Sequence, residues 1–255
     1  MVIRMASATQ ETKQKAIAAG FVTAGISTPD MLRDLPYGWV GKVTNLRPPE
    51  EIMPSAKSVM LMIMHAWDNR AFSFAIDPPN WRGYGMHSPD EQFESYYFGW
   101  EIMMNKAWHV VDFLRKKGYD ATITSRIPLK TAAVRCGLGC QGKNTLLITP
   151  QFGPRVKLIS VLTTAQLDAD EPFKENLCGK CEKCVAACPT KALEPYKLKI
   201  TRCMTYSAES PCSPDVPEDV RNLERKYVQK PTPRSYMECT ICADICPIGK
   251  SRKQV

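Results

Sequence analysis

The cysteine spacing between Cys178 and Pro189 constrains this chain more than any other feature. The stretch reads CGKCEKCVAACP, or C-x2-C-x2-C-x3-C-P, a spacing at which one loop and the start of one helix supply thiolates to an iron–sulfur cluster. The first three cysteines fit a single tight loop. The fourth, Cys188, lies one helical turn further on, where such a cysteine binds a second cluster. The pattern therefore predicts a partner half elsewhere in the chain.

A second, shorter half is present downstream. The stretch CTICADICP supplies three cysteines closed by Pro247, one short of a full set. The nearest spare thiol is Cys203 in ITRCMTY, and Cys212 in SPCSPD is its alternative. We predict two [4Fe–4S] clusters, one on Cys178, Cys181, Cys184 and Cys246, and the other on Cys188, Cys203, Cys239 and Cys242.

Disulfides and zinc explain these cysteines less well. Disulfides need an oxidising compartment, and the first residues do not resemble a secretory signal. Zinc ribbons use two C-x2-C knuckles, without a three-cysteine run closed by C-P on each side. Oxygen-sensitive thiolates predict a reducing cytoplasm. No apolar run approaches the ~20 residues that span a bilayer, so we expect no membrane contact.

The length of the chain allows a second domain beside the ferredoxin-like part, and its charge allows an anionic partner. A ferredoxin-like part needs only about 80 residues, so the 255-residue chain is expected to divide into domains at 1–170 and 171–255. The net charge is +8, which permits an anionic partner such as tRNA. The basic residues are mostly dispersed, so charge alone does not establish that partner.

The first part predicts alternating helices and strands, and hence an α/β or α+β layered fold. Helices are expected over 9–19 and 91–117, and strands over 57–65, 121–125 and 156–162. The strand KSVMLMIMH is apolar throughout, which indicates burial. The irregular segment 66–91 is rich in aromatic residues, and Trp67, Trp81 and Tyr84 favour an ordered pocket wall.

A glycine-rich stretch, RCGLGCQGKNTLLI, precedes the cysteine runs. It fits neither the dinucleotide-binding fingerprint nor a P-loop, because it leads into a strand and lacks the required partner residues. Its glycines allow a close approach of the backbone to a flat or bulky group, or a tight structural turn. We expect Cys136 and Cys140 within it to be buried free thiols.

Together these stretches resemble a known family. GLGCQGKNTLLITPQFGPRVKLISVLTT, CGKCEKCVAACPTKAL, RCMTYSAE and CTICADICP, in this order over roughly 120–250, resemble the cobalamin-dependent iron–sulfur reductases, which include epoxyqueuosine reductase and the reductive dehalogenases. The resemblance implies a nitroreductase-like α/β domain that holds cobalamin, followed by a ferredoxin-like domain with two clusters. It also implies the isolated ligand at Cys203.

The resemblance also implies where cobalamin binds. Matching positions place six residues near the corrin: Gly139, Lys143, Asn144, Thr205, Cys239 and Thr240. None of His65, His87 or His109 lies in the D-x-H-x-x-G pattern that supplies a lower ligand. The resemblance therefore implies base-off cobalamin with no histidine from the protein.

The proton donor is expected on the helix SYYFGWEIMMNK, where the candidates are Tyr97, Tyr96 and Glu101. Tyr97 is preferred because helical spacing puts it on the face of Trp100 and Met104. A tyrosine can donate if a nearby cation stabilises the phenolate, and we expect Arg135 or Lys143 to do so.

Three functions follow for testing. The favoured one is a reductase in which a ferredoxin- or flavodoxin-type donor sends low-potential electrons through two clusters to cobalamin, which reduces an epoxyqueuosine-like or organohalide-like substrate, a small molecule or a tRNA. The alternative is an electron-transfer protein that reduces a partner's corrinoid or flavin and needs no cavity. An iron–sulfur nucleic-acid-binding module is disfavoured because the basic residues show no aromatic interleaving.

Overall fold

The computed structural model describes residues 7–40, 44–66, 73–87 and 96–249. The helices are α1 (Ala8–Ala18), α2 (Pro29–Leu32), α3 (Pro49–Ile52), α4 (Phe98–Lys116), α5 (Leu129–Arg135), α6 (Lys183–Ala186), α7 (Met204–Glu209), α8 (Glu218–Tyr227) and α9 (Ile241–Asp244). The strands are β1 (Thr23–Ser27), β2 (Gly38–Val40), β3 (Thr44–Leu46), β4 (Ser58–His65), β5 (Phe74–Ile76), β6 (Tyr96–Tyr97), β7 (Ala121–Thr124), β8 (Cys140–Gln141), β9 (Leu147–Ile148), β10 (Val156–Thr163), β11 (Leu193–Glu194), β12 (Lys197–Leu198) and β13 (Ser235–Met237).

The main sheet has the order β1-β4-β10-β7, and all three of its pairings are antiparallel. Its central strand β4 is buried on both faces, because Met60, Met62 and Met64 point to one side while Val59, Leu61 and Ile63 point to the other. Each such side chain contributes roughly 1.5–3 kcal/mol by leaving water. The buried strand predicted from KSVMLMIMH is confirmed.

Helices cover both faces of this sheet. α1 and α4 lie against the methionine face, where α4 buries Met103, Ala107, Val110, Val111 and Leu114. α5 covers the opposite face with Ala132 and Ala133. α1 begins at a capping box in which Ser7 and Gln10 each accept a hydrogen bond from the other's backbone amide.

A second sheet joins two strands of the first part to a strand beside the second cysteine run. Its order is β13-β5-β6, with Tyr236 opposite Ala75 and Ala75 opposite Tyr97. The strand that immediately precedes Cys239 is therefore hydrogen-bonded to one that lies more than a hundred residues earlier in the chain. This sheet positions the residues around α4's first turn beside the second cysteine run.

The cysteine-rich segment consists of short helices and hairpins. α6 and α9 lie within the two cysteine runs and pack against each other. Arg155, which is 8% exposed, fastens this segment to the main sheet by donating to the carbonyl oxygens of Cys246 (2.5 Å) and Ile248 (2.7 Å).

The expected class, a mixed α/β structure, is confirmed, and most element bounds agree with the sequence. The helix expected over 91–117 is observed as α4, and residues 91–95 lie outside the described part. The connector at the proposed boundary is fastened to the first part, since the Asp170 carboxylate accepts from Ile26 N at 2.7 Å and from Lys13 Nζ at 2.5 Å. The division at 170/171 stays a prediction. Among the described helices, none is long and apolar enough to cross a membrane.

Candidate redox and cofactor site

The predicted cysteine quartets each surround one cavity. Cys178, Cys181, Cys184 and Cys246 line a cavity of about 30 Å³. Cys188, Cys203, Cys239 and Cys242 line a much larger one of about 400 Å³. No three His, Cys, Asp or Glu side chains in the described ranges are grouped to hold a single metal ion. The all-sulfur quartets are the donor set that [4Fe–4S] clusters use.

Local structure explains how one short loop gathers three thiols. Asn176 Oδ1 accepts from the amides of Cys178 (3.1 Å) and Gly179 (3.2 Å), and Cys181 N donates to Cys178 O (2.9 Å). Gly179 has φ +46°, a left-handed conformation that glycine adopts at little cost. The loop is thereby turned so that its side chains converge, and α6 carries Cys184 next to them.

The fourth ligand of the second quartet is the isolated Cys203. Its side chain lines the large cavity together with Cys188, Cys239 and Cys242. Cys212 is exposed and is not among the residues that line either cavity, and its amide donates to Arg82 O at 2.8 Å. The geometry therefore favours Cys203 over Cys212.

Burial keeps three thiols of the second quartet protonated when no cluster is bound. It raises the pKa of Cys203, that of Cys239 to about 11 and that of Cys242 to about 12, and the neighbouring Cys203 contributes to the last two shifts. Cys184 of the first quartet also raises the pKa of Cys242, so the two quartets are neighbours. Cluster binding to these thiols must therefore release protons.

Four of the six residues expected near the corrin line the large cavity: Asn144, Thr205, Cys239 and Thr240. They are fixed by hydrogen bonds. Asn144 Nδ2 donates to Cys242 O (3.2 Å), Thr205 Oγ1 accepts from Cys239 N (3.2 Å), and Thr240 Oγ1 donates to Asp244 Oδ2 (2.6 Å). Apolar side chains complete the wall, among them Leu129, Leu147, Val156, Leu158 and Ile241. A wide apolar wall with fixed amide and hydroxyl groups suits a corrin and its amide side chains.

The other two residues are not among those that line this cavity. A Cβ on Gly139 would meet Ile148 O at 2.3 Å, so glycine is needed there for close backbone packing. Lys143 is 7% exposed and its Nζ lies 3.2 Å from Glu182 Oε1. It ties the glycine-rich stretch to the first cysteine loop.

Among the proton-donor candidates whose side chains are described, Tyr97 alone hydrogen-bonds to residues of the cavity wall, and it lies behind them rather than on the wall itself. Its hydroxyl donates to Glu238 Oε2 at 2.5 Å, and Lys157 Nζ donates both to the Tyr97 oxygen and, at 2.5 Å, to Glu238 Oε2. Lys157 and Glu238 line the cavity. Burial, followed by the Glu238 carboxylate, raises the pKa of Tyr97 far above its ordinary value, so the phenol keeps its proton.

The remaining proton-donor expectations need adjustment. Glu101 is exposed on α4, and the side chain of Tyr96 lies outside the described part. The expected cations are wrong: Arg135 is paired with Asp34 at 2.6 Å and Lys143 with Glu182, so neither reaches Tyr97. Lys157 takes that role because β10 runs past the N-terminus of α4.

Several charged residues at the site were not found from the sequence. Glu209 has its pKa raised to about 8, first by burial and then by the nearby Glu238 and Asp77 carboxylates, while Lys157 lowers it. Burial raises the pKa of Asp77 to about 6. Lys157 could have been suspected, because it is a charged residue in an otherwise apolar strand. Glu209 carried no such signal.

The aromatic segment 66–91 forms a wall against the second part, as far as it is described. Trp81 Nε1 donates to Glu209 O at 2.7 Å, and its ring lies edge-on to Tyr84 at 5.2 Å. Trp67 lies outside the described residues. Cys136 and Cys140 are buried free cysteines, and Cys140 packs with Cys178 and Cys246.

The comparisons agree with this geometry. The family model of the 4Fe-4S double cluster binding domain matches residues 177–249. The chain is 29% identical over 265 residues to the epoxyqueuosine reductase of Atelocyanobacterium thalassa (isolate ALOHA), covering 96% of this chain and 81% of the relative.

Two solved structures share the fold. An epoxyqueuosine reductase with an epoxyqueuosine-modified tRNA-Tyr stem loop superposes with a TM-score of 0.67 at 21% identity, covering 96% of this chain and 66% of that one. A reductive dehalogenase whose structure suggests a mechanism for B12-dependent dehalogenation gives 0.54 at 18% identity, covering 85% of this chain and 33% of that one. The resemblance to these iron–sulfur reductases is confirmed, and the chain spans only part of each solved relative.

Proposed function

We propose that this chain is a cobalamin-dependent iron–sulfur oxidoreductase that reduces an epoxyqueuosine-like substrate, with the two quartets as cluster ligands. The observation that carries the proposal is the 400 Å³ cavity, which has the second quartet on one side and Lys157 and Glu238 on another. When bound, the clusters and cobalamin supply low-potential electrons at a cobalt centre.

The residues of the chain perform distinct tasks in this proposal. Asn144, Thr205 and Thr240 hold and orient the cofactor, and the apolar wall excludes water. Tyr97 holds a proton at its phenol oxygen and gives it to the substrate. Lys157 lies against the same oxygen and stabilises the phenolate left behind.

The substrate class follows the relatives. The match to an epoxyqueuosine reductase covers 96% of this chain and 81% of the relative, whereas the match to the dehalogenase covers 85% of this chain and 33% of the dehalogenase. We therefore favour epoxyqueuosine in tRNA over an organohalide. Cluster thiolates need a reducing compartment, which we take to be the cytoplasm. A low-potential ferredoxin or flavodoxin is the proposed electron source.

A spectrum and a turnover assay test this proposal. Anaerobically reconstituted protein is expected to bind added cobalamin, seen by visible spectroscopy, and to reduce an epoxyqueuosine-containing tRNA stem loop. Failure to bind cobalamin would favour the electron-carrier alternative.

Tyr97→Phe isolates the proton donor. The variant keeps the ring that packs against Ala75, Met204 and Tyr236 but removes the transferable proton. We expect cluster content and cobalamin binding to be retained and turnover to fall by at least about 100-fold, in the range of general acid catalysis. Tyr119→Phe, on the surface beyond α4, is the matched control. Unchanged turnover in Tyr97→Phe would exclude Tyr97 from the mechanism.

A further inference from the structure

The first quartet lies nearer the surface than the second. Asn176, Gly179, Lys180, Glu182 and Lys183, on and around its loop, are all exposed. Lys183 lies on the wall of the first quartet's cavity. The second quartet instead lines the large cavity, which the proposed function assigns to the cofactor. The exposed loop therefore leaves the first quartet accessible to an electron donor.

The surface around the first quartet carries an excess of positive charge. Residues 174–199 contain six lysines and three glutamates, with no arginine or aspartate, which gives a net charge of +3. All six lysines are exposed: Lys174, Lys180, Lys183, Lys191, Lys197 and Lys199. Glu182 is paired with Lys143 (3.2 Å), which lies outside this segment, and Glu194 is paired with Lys199 (2.6 Å), one of the six lysines.

The cysteine loop, which carries Lys180 and Lys183, lies beside the hairpin that carries Lys197. Asn176, which shapes the Cys178 loop, donates to the Tyr196 hydroxyl at 3.4 Å, and Tyr196 N donates to Lys143 O at 3.1 Å. The turn between β11 and β12 is thereby held beside the cysteine loop. Tyr196 and Leu198 are each 40% exposed there. An aromatic and an aliphatic side chain with a charged rim is the composition of a protein-binding surface.

We propose that this lysine-bordered surface, formed by the loop 176–183 and the hairpin 193–198, is the docking site of an acidic electron-donor protein. The inference rests on the proposed function only in requiring a cluster on the first quartet. In each encounter the donor is oxidised by one electron and that cluster is reduced by one. Complementary charge raises the rate of such encounters more than their affinity, and electron-transfer contacts are small.

Anaerobic stopped-flow reduction of the cluster-loaded protein tests the surface. The donor is reduced flavodoxin, an acidic protein, and the signal is the loss of visible cluster absorbance. Lys180→Glu and, further from the ligands, Lys197→Glu are each expected to slow the second-order reaction about tenfold at low salt. The difference should disappear near 1 M salt, where the screening length falls to about 3 Å. Calorimetric binding of oxidised flavodoxin should weaken in parallel.

The controls separate docking from damage. Lys57→Glu makes the same charge reversal at an exposed residue that directly precedes β4. His65, at the other end of β4, pairs with Val156 of the cavity wall, so Lys57 is remote from the site. This variant should leave the reduction rate unchanged. Reduced methyl viologen, a small cation, should reduce all variants at least as fast as the parent.

Unchanged flavodoxin rates in Lys197→Glu would overturn the proposal. Loss of binding to an RNA stem loop with unchanged flavodoxin rates would assign the surface to RNA instead. Failure to bind cobalamin would refute the proposed function, but the flavodoxin rates would still test the docking site, because they require only the cluster on the first quartet.

Discussion

Glu238 and Cys239 are adjacent in the chain yet face two different tasks. Cys239 belongs to the second quartet, while Glu238 accepts hydrogen bonds from Tyr97 and Lys157. Because the two residues are consecutive, the hydrogen-bonded Tyr97 hydroxyl is held close to the proposed cluster on Cys239. The sequence pointed to Tyr97 through its helical spacing with Trp100 and Met104, whereas the structure places it in β6, directly before α4. The sequence could not predict Lys157 or Glu238, since their convergence depends on pairing between strands far apart in the chain.

Glu209 should make stability depend on pH. Its ordinary pKa is 4.5, and burial raises it to about 8 in the folded chain. Between these values the unfolded chain has lost a proton that the folded chain keeps, so stability falls as pH rises. Each kcal/mol shifts Tm by roughly 2–4 °C in a chain of this size. We therefore expect Glu209→Gln to raise Tm by several degrees at pH 8 and hardly at pH 5.

Thermal unfolding of the anaerobic, cluster-loaded protein measures this effect. Glu51→Gln changes an exposed glutamate on α3 and should leave the pH profile as it is. An equal shift of Glu209→Gln at both pH values would contradict a protonated Glu209.

Substitutions of Cys203 and Cys212, which are nine positions apart, should have opposite effects on the clusters. Cys203→Ala removes a thiol from the large cavity, so we expect iron and sulfide content to drop by up to about half, with one cluster damaged and the other retained. Cys212→Ala changes an exposed thiol and should keep both clusters. Iron and sulfide analysis with electron paramagnetic resonance decides between them, and the reverse outcome would move the fourth ligand to Cys212.

Among the elements, those with strong local patterns were predicted and those fixed by distant partners were not. β4 was recognised because its apolar run needs burial on both faces, and α1 because its end at Gly20 is marked. β5, β6 and β13 have two or three residues each and exist because they pair with one another. Their formation depends on contacts that no local periodicity records.

Arg155, which directly precedes β10, holds Cys246 in place. Its guanidinium donates to the carbonyl oxygens of Cys246 and Ile248, and no other residue type offers the same planar set of donors. Arg155→Met should leave these carbonyls unsatisfied and loosen Cys246. We expect the first cluster of this variant to lose iron to a chelator several times faster than that of the parent protein, and the loss of visible cluster absorbance measures the rate. Arg126→Met, at an exposed site, is the control, and equal release rates would contradict the anchoring role.

At the scale of the whole molecule, none of the three histidines is among the residues that line the large cavity. His65 stacks on Phe152 with ring centres 4.7 Å apart, His87 stacks on Trp81, and His109 is exposed on α4. Bound cobalamin should therefore have no histidine as lower ligand. Electron paramagnetic resonance of the Co(II) state is expected to lack nitrogen superhyperfine splitting. Such splitting would show that a nitrogen base coordinates the cobalt.

The pairing of β13 with β5 has a consequence for biosynthesis. A ribosome releases Phe74–Ile76 long before Ser235–Met237, and the strand that flanks Tyr97 must wait for its neighbour. Early segments of a nascent chain generally fold first, so the main sheet can form while the cavity still lacks its last wall. Because Cys239, Cys242 and Cys246 follow the strand Ser235–Met237 in the chain, both proposed quartets stay incomplete until this late segment has been synthesised.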